Sequence, residues 1–295
     1  MEVIVMFSKI LIATDLSDAS DKVISCIDGL KQLGTGETVL FHALRIKHLD
    51  YLKFDLTRDA ESFLMKQKAA LEANGFKTTV EIGESETAFE LNRAAGENDV
   101  SLIVIGTHGK SLLKHAFIGG EATKILQNHQ KPVLVVRIKV TEDKETTTCE
   151  ASCLKDSGRI LYTTDFSDTA QFAFTYVEKM VESGWKKVTL LHVQDSSKIE
   201  KHLKDRLEEF NTIDDERLHM LKDALLKKGA IDVDIVISYG QPVQEIIKAS
   251  KNDTFSLIVM GSQGRGFAEE IFLGSVSHNV VRQADLPVLL IPALR

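Results

Sequence analysis

Residues 256–279 read "SLIVMGSQGRGFAEEIFLGSVSHN". An apolar run, Ser256–Met260, leads straight into glycines at 261, 264, 266 and 274, and then into the helix-like stretch "VSHNVVRQA". Apolar residues that run on without alternation are expected of a strand buried on both faces. Glycine belongs where backbone turns sharply or approaches something closely. A strand, a bare loop and a helix in that order make either a cradle for an anion at a helix N-terminus or a flexible surface loop. The rest of the chain decides between them.

The same pattern stands earlier, as "SLIVIGTHGKSLLKHAFIGGEATK" from Ser101, displaced by 155 residues. "KPVLVV" at Lys131 answers to "LPVLLI" at Leu286 with the same displacement. "KILIATDLSDAS" at Lys9 answers to "RILYTTDFSDTA" at Arg159, and "VLFHAL" at Val39 to "TLLHVQ" at Thr189, both displaced by 150. A repeat this long is a duplicated domain and not a solenoid unit. The two copies span residues 1–139 and 159–295. Between them "VTEDKETTTCEASCLKDSG", residues 140–158, is charged, threonine-rich and reads as a linker.

Each copy alternates short apolar runs with amphipathic stretches. The first copy offers strands at Ile10–Ala13, Val39–His42, Thr78–Ile82, Leu102–Ile105 and Val133–Val136. Val23, Ile27 and Leu30 share one helical face that ends at Gly34; Phe174, Val177 and Val181 do the same up to Gly184. Thr87-x-x-Glu90 reads as a capping box, and Pro242 suits a first-turn position. The order βαβαβαβαβ, twice, predicts two tandem doubly wound, Rossmann-like α/β domains, each a five-stranded parallel sheet flanked by helices. Their ligands are expected beyond the carboxyl ends of the strands.

A formal charge of −7 over 295 residues makes nucleic acid a poor partner. No apolar stretch reaches the ~20 residues that span a bilayer, and "MEVIVMF" lacks a basic n-region, so a cytoplasmic protein without membrane contact is expected. Three cysteines, Cys26, Cys149 and Cys153, form no disulfide framework on this reading and agree with a reducing compartment. Cys149 and Cys153 read as solvent-exposed thiols, since no histidines stand at finger-like spacing for zinc.

Two phosphate motifs fail. "GTHGKS" at Gly106 ends like a P-loop, but Val104 stands where the motif needs its first glycine. No glycine follows the first strand, which removes the dinucleotide fingerprint. What remains is Gly261-x2-Gly264-x9-Gly274-Ser275 after the fourth strand, "TDFS" after the first and "PVLLI" in the last. Together with the duplication, this resembles the universal stress protein family in its nucleotide-binding form, over nearly the whole chain.

The resemblance implies an adenine nucleotide, ATP or AMP, with Mg²⁺ able to accompany ATP. In the second copy it implies Thr164 and Asp165 at the ribose or adenine side and Val193 offering backbone groups to the base. Gly261, Ser262, Gly264, Arg265, Gly274, Ser275, Val276 and Ser277 would lie around the phosphates. Bottom-up chemistry agrees, because free amides and hydroxyls at a helix start suit an anion; the bland alternative makes Ser275 a mere helix cap. Asp165 is free of capping duty if Phe166-Ser167-Asp168 start the helix themselves. His42 and His192 read as structural, and Asp214, Asp215 and Glu216 as a solvated acidic face.

The matching positions of the first copy are Asp15, Ala43, Gly106, Gly109, Gly119 and Gly120. Here Gly120 and Glu121 replace Ser275 and Val276, so the hydroxyl is missing and a carboxylate takes the helix start. Lys110 and Lys114 offset part of that charge; in the second copy, Glu269 and Glu270 are expected to face solvent. A competent site is therefore expected in the second copy and a weaker, AMP-favouring or empty one in the first. The family implies a regulatory nucleotide-binding protein with an unidentified protein partner. The alternatives are a slow ATP-hydrolysing enzyme or an interaction module with degenerate sites. It also implies pairing of the fifth strands, Val133–Val136 and Val288–Ile291, within the chain or in a homodimer.

Overall fold

The computed structural model describes residues 6–44, 53–107, 120–142, 147–151, 153–154, 158–197, 206–252, 254–264 and 273–294. The chain divides into two compact units, Met1–Leu154 and Lys155–Arg295.

In the first unit, β1 (Lys9–Ala13), β2 (Glu37–Ala43), β3 (Lys77–Gly83), β4 (Leu102–Gly106) and β5 (Val133–Val136) form a parallel sheet in the order β3-β2-β1-β4-β5. All five strands expected from the apolar runs are present. The central ones are buried on both faces: Ile10, Leu11, Leu102, Ile103 and Val104 are fully enclosed, which explains the absence of alternation. The helices are α1 (Asp18–Ser25), α2 (Lys53–Ala73), α3 (Thr87–Glu97) and α4 (Gly120–Asn128).

Three local expectations change here. The face of Val23, Ile27 and Leu30 is not one helix: α1 stops at Ser25 and a 3₁₀ turn, Ile27–Leu33, carries the chain to the left-handed cap Gly34. Leu154 packs so closely there that a Cβ on Gly29 would stand 2.9 Å from its Cβ. At α3 the cap is Glu86, with no side-chain capping bond, and Thr87 is already helical. Glu90 instead accepts from Ser85 Oγ at 2.8 Å and pairs with Arg93, which holds its carboxyl below the usual range; the Ser85 hydrogen bond is the largest cause.

The third change concerns residues 140–158. Part of that segment, residues 140–142 and 147–151, belongs to an antiparallel ribbon, β6 (Ile138–Glu142) with β7 (Thr147–Ala151), lying against α1. Cys26 forms a disulfide with Cys153, 127 residues away. The sequence could not show this pairing, because sequence spacing says nothing about which sulfurs the fold brings together. Cys153 is thus not a free thiol, and its sulfur ties the ribbon to the buried junction after α1.

The second unit repeats the plan with β8 (Arg159–Thr164), β9 (Lys187–Asp195), β10 (Asp232–Gly240), β11 (Phe255–Gly261) and β12 (Val288–Ile291), ordered β10-β9-β8-β11-β12 and parallel throughout. Every residue of β11 is buried. Its helices are α5 (Asp168–Glu182), α6 (Leu207–Lys227), α7 (Pro242–Ser250, with proline in the first turn) and α8 (Ser275–Gln283). Strand order reverses between β8 and β11, so their carboxyl ends leave a crevice at the switch point.

Candidate functional site

The crevice of the second unit is a cleft of about 500 Å³ at the ends of β8, β9 and β11. Its geometry starts at the end of β8. Thr164 Oγ1 accepts from Phe166 N (3.0 Å), Asp165 Oδ1 from Ser167 N (3.0 Å), and Ser167 Oγ, the cap of α5, from Ala170 N (3.2 Å). Phe166 is held left-handed at φ 59°, a conformation that costs a non-glycine residue about 1–2 kcal/mol. Its ring lies 4.6 Å from that of His192, and the Arg217 guanidinium sits 5.2 Å above it. Ser167 does cap α5, as expected, so Asp165 lines the cleft.

The opposite wall is the glycine loop. Its glycines are needed for close approach: a Cβ at 264 would stand 2.6 Å from Asp165 Oδ2, and one at 261 would stand 2.9 Å from Thr169 Cγ2. Gly274 N donates to Ser262 O at 2.8 Å, and Ser262 N donates to Ile291 O at 2.8 Å, so both ends of the loop are anchored to the sheet. Gly274 then caps α8, leaving Ser275 as its first residue with no side-chain capping bond. Ser275, Val276 and Ser277 line the cleft with the first turn of α8, where backbone N–H groups lack intrahelical acceptors. Ser277 is buried, and its hydroxyl donates to Gly261 O at 2.8 Å, so an anion receives no proton from it in this arrangement.

Of the expected residues, Thr164, Asp165, Val193, Gly261, Gly264, Gly274, Ser275, Val276 and Ser277 meet in this one cleft. Ser262 is buried behind it. Arg265, Glu269 and Glu270 lie outside the described residues. The floor is partly apolar, with Phe210 and Ile213 from α6, Pro242 and Ile246 from α7, and Met260.

One expectation is overturned. Asp214 is not on a solvated face: it is 9% exposed and lines the cleft, whereas Asp215 and Glu216 are exposed. Its Oδ2 accepts from Gln194 Nε2 at 3.0 Å and lies 3.3 Å from His192 Nε2. A helical signal existed, since Phe210, Ile213, Asp214, Arg217 and Leu218 share one face; a carboxylate on an apolar stripe marks a site better than an acidic run does. His192 is structural as expected: Nδ1 lies 2.8 Å from Thr164 O, which can only accept, so Nδ1 holds the hydrogen. Nearby, burial drives the Tyr162 hydroxyl strongly upward in pKa, a hydrogen bond to Thr164 opposes this and the Asp165 charge reinforces it; its O–H donates to Ala170 O at 2.6 Å.

The first unit keeps part of this design. Leu16 is left-handed at φ 61°, Asp15 Oδ1 accepts from Ser17 N at 3.1 Å, and His42 Nδ1 lies 2.8 Å from Thr14 O. Ala43 and Gly106 end β2 and β4, and Gly120 opens α4 with Glu121 in its first turn. Gly109, Gly119, Lys110 and Lys114 lie outside the described residues.

The model of the universal stress protein family matches residues 6–137 and again residues 157–292. This chain belongs to the universal stress protein family. The two matches coincide with the two sheets. Among relatives, a universal stress protein of Methanocaldococcus jannaschii is 33% identical over 153 residues, covering 45% of this chain and 93% of its own length. One of Thermus aquaticus is 30% identical over 139 residues, 45% of this chain and 96% of its own. Each is similar to part of this tandem universal stress protein. The crystal structure of an Archaeoglobus fulgidus family member covers 97% of this chain and 96% of its own with a TM-score of 0.73; at 23% identity it speaks for the fold. Among the described residues no helix is long and apolar enough to cross a membrane, and no cluster of His, Cys, Asp or Glu is built to hold a metal.

Proposed function

We propose that this universal stress protein binds an adenine nucleotide, ATP or AMP, in its second domain, and that occupancy sets its conformation or its affinity for a partner protein. One observation carries the reading: the cleft joins Asp165, Val193 and the opening turn of α8 across Gly261 and Gly264, which are too crowded to bear a Cβ. A phosphate chain at α8 meets unpaired amides and the positive end of the helix dipole. The apolar part of the cleft, with Val193, suits a base, and Asp165 suits ribose hydroxyls. With ATP, Mg²⁺ would be carried mainly by the phosphates, with the Ser275 hydroxyl of the cleft wall a further oxygen ligand.

Mass spectrometry of the small molecules released on denaturing the purified protein is expected to find an adenine nucleotide. Gly274→Asp places a carboxylate where the phosphates bind and a Cβ 3.2 Å from Ser262 O. Calorimetric affinity for ATP and AMP should fall at least about tenfold. Unchanged affinity in that variant sinks the phosphate assignment.

A further inference from the structure

Asp214 has no use in the reading above, yet it is a largely buried carboxylate held by two side chains. Its side chain is 12% exposed, and it faces the cleft from α6. Gln194 Nε2 and His192 Nε2 both address Oδ2, while among the described residues no hydrogen bond reaches Oδ1. With Oδ2 turned to those two nitrogens, Oδ1 remains as an acceptor. Asp214 lines the cleft, where a ligand can bring a donor to that oxygen.

The position is particular to the second domain. Helices α2 and α6 are both 21 residues long, starting at residues 53 and 207, and each is followed by a left-handed glycine, Gly75 and Gly229. Leu64 and Leu71 match Leu218 and Leu225 as fully buried residues. In that register Ala60, also buried, stands where the second domain has Asp214. His42 repeats the histidine and its bond to the strand carbonyl, so the carboxylate is an addition to a retained frame and not part of it.

We propose that Asp214 is a specificity-determining residue of the nucleotide cleft: Oδ1 accepts a hydrogen from the exocyclic amine of an amino-purine and rejects a base that presents a carbonyl there. Gln194 and His192 are positioning residues that hold the carboxylate by its other oxygen. The inference rests on the nucleotide reading and assigns the base end of the same cleft, next to Val193 and away from α8.

Binding of ATP, ITP, GTP and purine riboside triphosphate to the full chain, followed by calorimetry, tests it. Wild-type protein should favour ATP over ITP and purine riboside triphosphate by about 10–100-fold, the worth of one hydrogen bond to a charged acceptor. Asp214→Asn, whose amide can turn its N–H toward a carbonyl, should bring ATP and ITP to within about threefold. Asp214→Ala should lower ATP to the level of purine riboside triphosphate. The wild-type preference needs no variant, so a folding failure of either one leaves the test intact. Equal binding of ATP and ITP by wild type, a preference for GTP, or an unchanged ratio in a folded Asp214→Asn overturns the assignment while nucleotide binding stands. Failure to bind any nucleotide removes both.

Discussion

A methyl group at residue 264 would stand 2.6 Å from Asp165 Oδ2, so Gly264→Ala must displace either that carboxylate or the loop. Nucleotide affinity is expected to drop about tenfold, while stability changes by less than about 1 kcal/mol because the loop lies outside the core. Calorimetry paired with urea unfolding separates the two effects; unchanged affinity would show that Asp165 does not meet the ligand. Tyr162 makes a different prediction. Its pKa is raised by burial, so its contribution to stability is fully present below the ordinary tyrosine pKa, near 10, and is lost as pH rises above it. Wild-type unfolding free energy should fall by up to about 1.4 kcal/mol per pH unit more steeply above pH 10 than that of Tyr162→Phe. Parallel curves for the two proteins would refute it. Asp165 and the glycines were legible in the sequence because motif and strand order place them together. Asp214 was not, because its acidic neighbours Asp215 and Glu216 mask it in the chain and only the rotation of α6 separates them.

Among the elements, the ribbon β6–β7 departs most from its sequence. Residues 140–158 are nearly free of large apolar side chains, and nothing local in such a stretch distinguishes a linker from a ribbon that leans on α1. Ile138, which opens the ribbon, and Leu154, which follows it, are both buried. Cys26→Ser should lower the stability of the first domain by about 2–5 kcal/mol, since the bond closes a loop of more than a hundred residues. Urea unfolding followed domain by domain checks the size. Alkylation of the denatured but unreduced protein should modify Cys149 alone and leave Cys26 joined to Cys153; three alkylated cysteines would exclude the bond. The break between α1 and the 3₁₀ turn has the same origin, since periodicity in Val23, Ile27 and Leu30 fits either helix type over two turns.

At the scale of the whole molecule, duplication has produced two sheets of one plan with unequal loops. The second domain opens α8 with Ser275 and Val276, whereas the first opens α4 with Gly120 and Glu121. A carboxylate at that helix start satisfies the dipole itself and opposes phosphate. Titration should therefore saturate at about one ATP per chain, with Glu121→Val raising the number toward about two; two equal sites in the wild-type chain would contradict the asymmetry. The sequence by itself determined the duplication, the parallel sheets and the glycine loop, because apolar runs buried on both faces and repeated motifs are properties of the order of residues. Tertiary structure alone decided that Cys26 meets Cys153, that 138–142 pairs with 147–151 as a ribbon on the first domain, and that Asp214 turns inward toward Gln194 and His192. Each depends on groups far apart in the chain, whose meeting is set by how helices and strands pack and not by any local pattern.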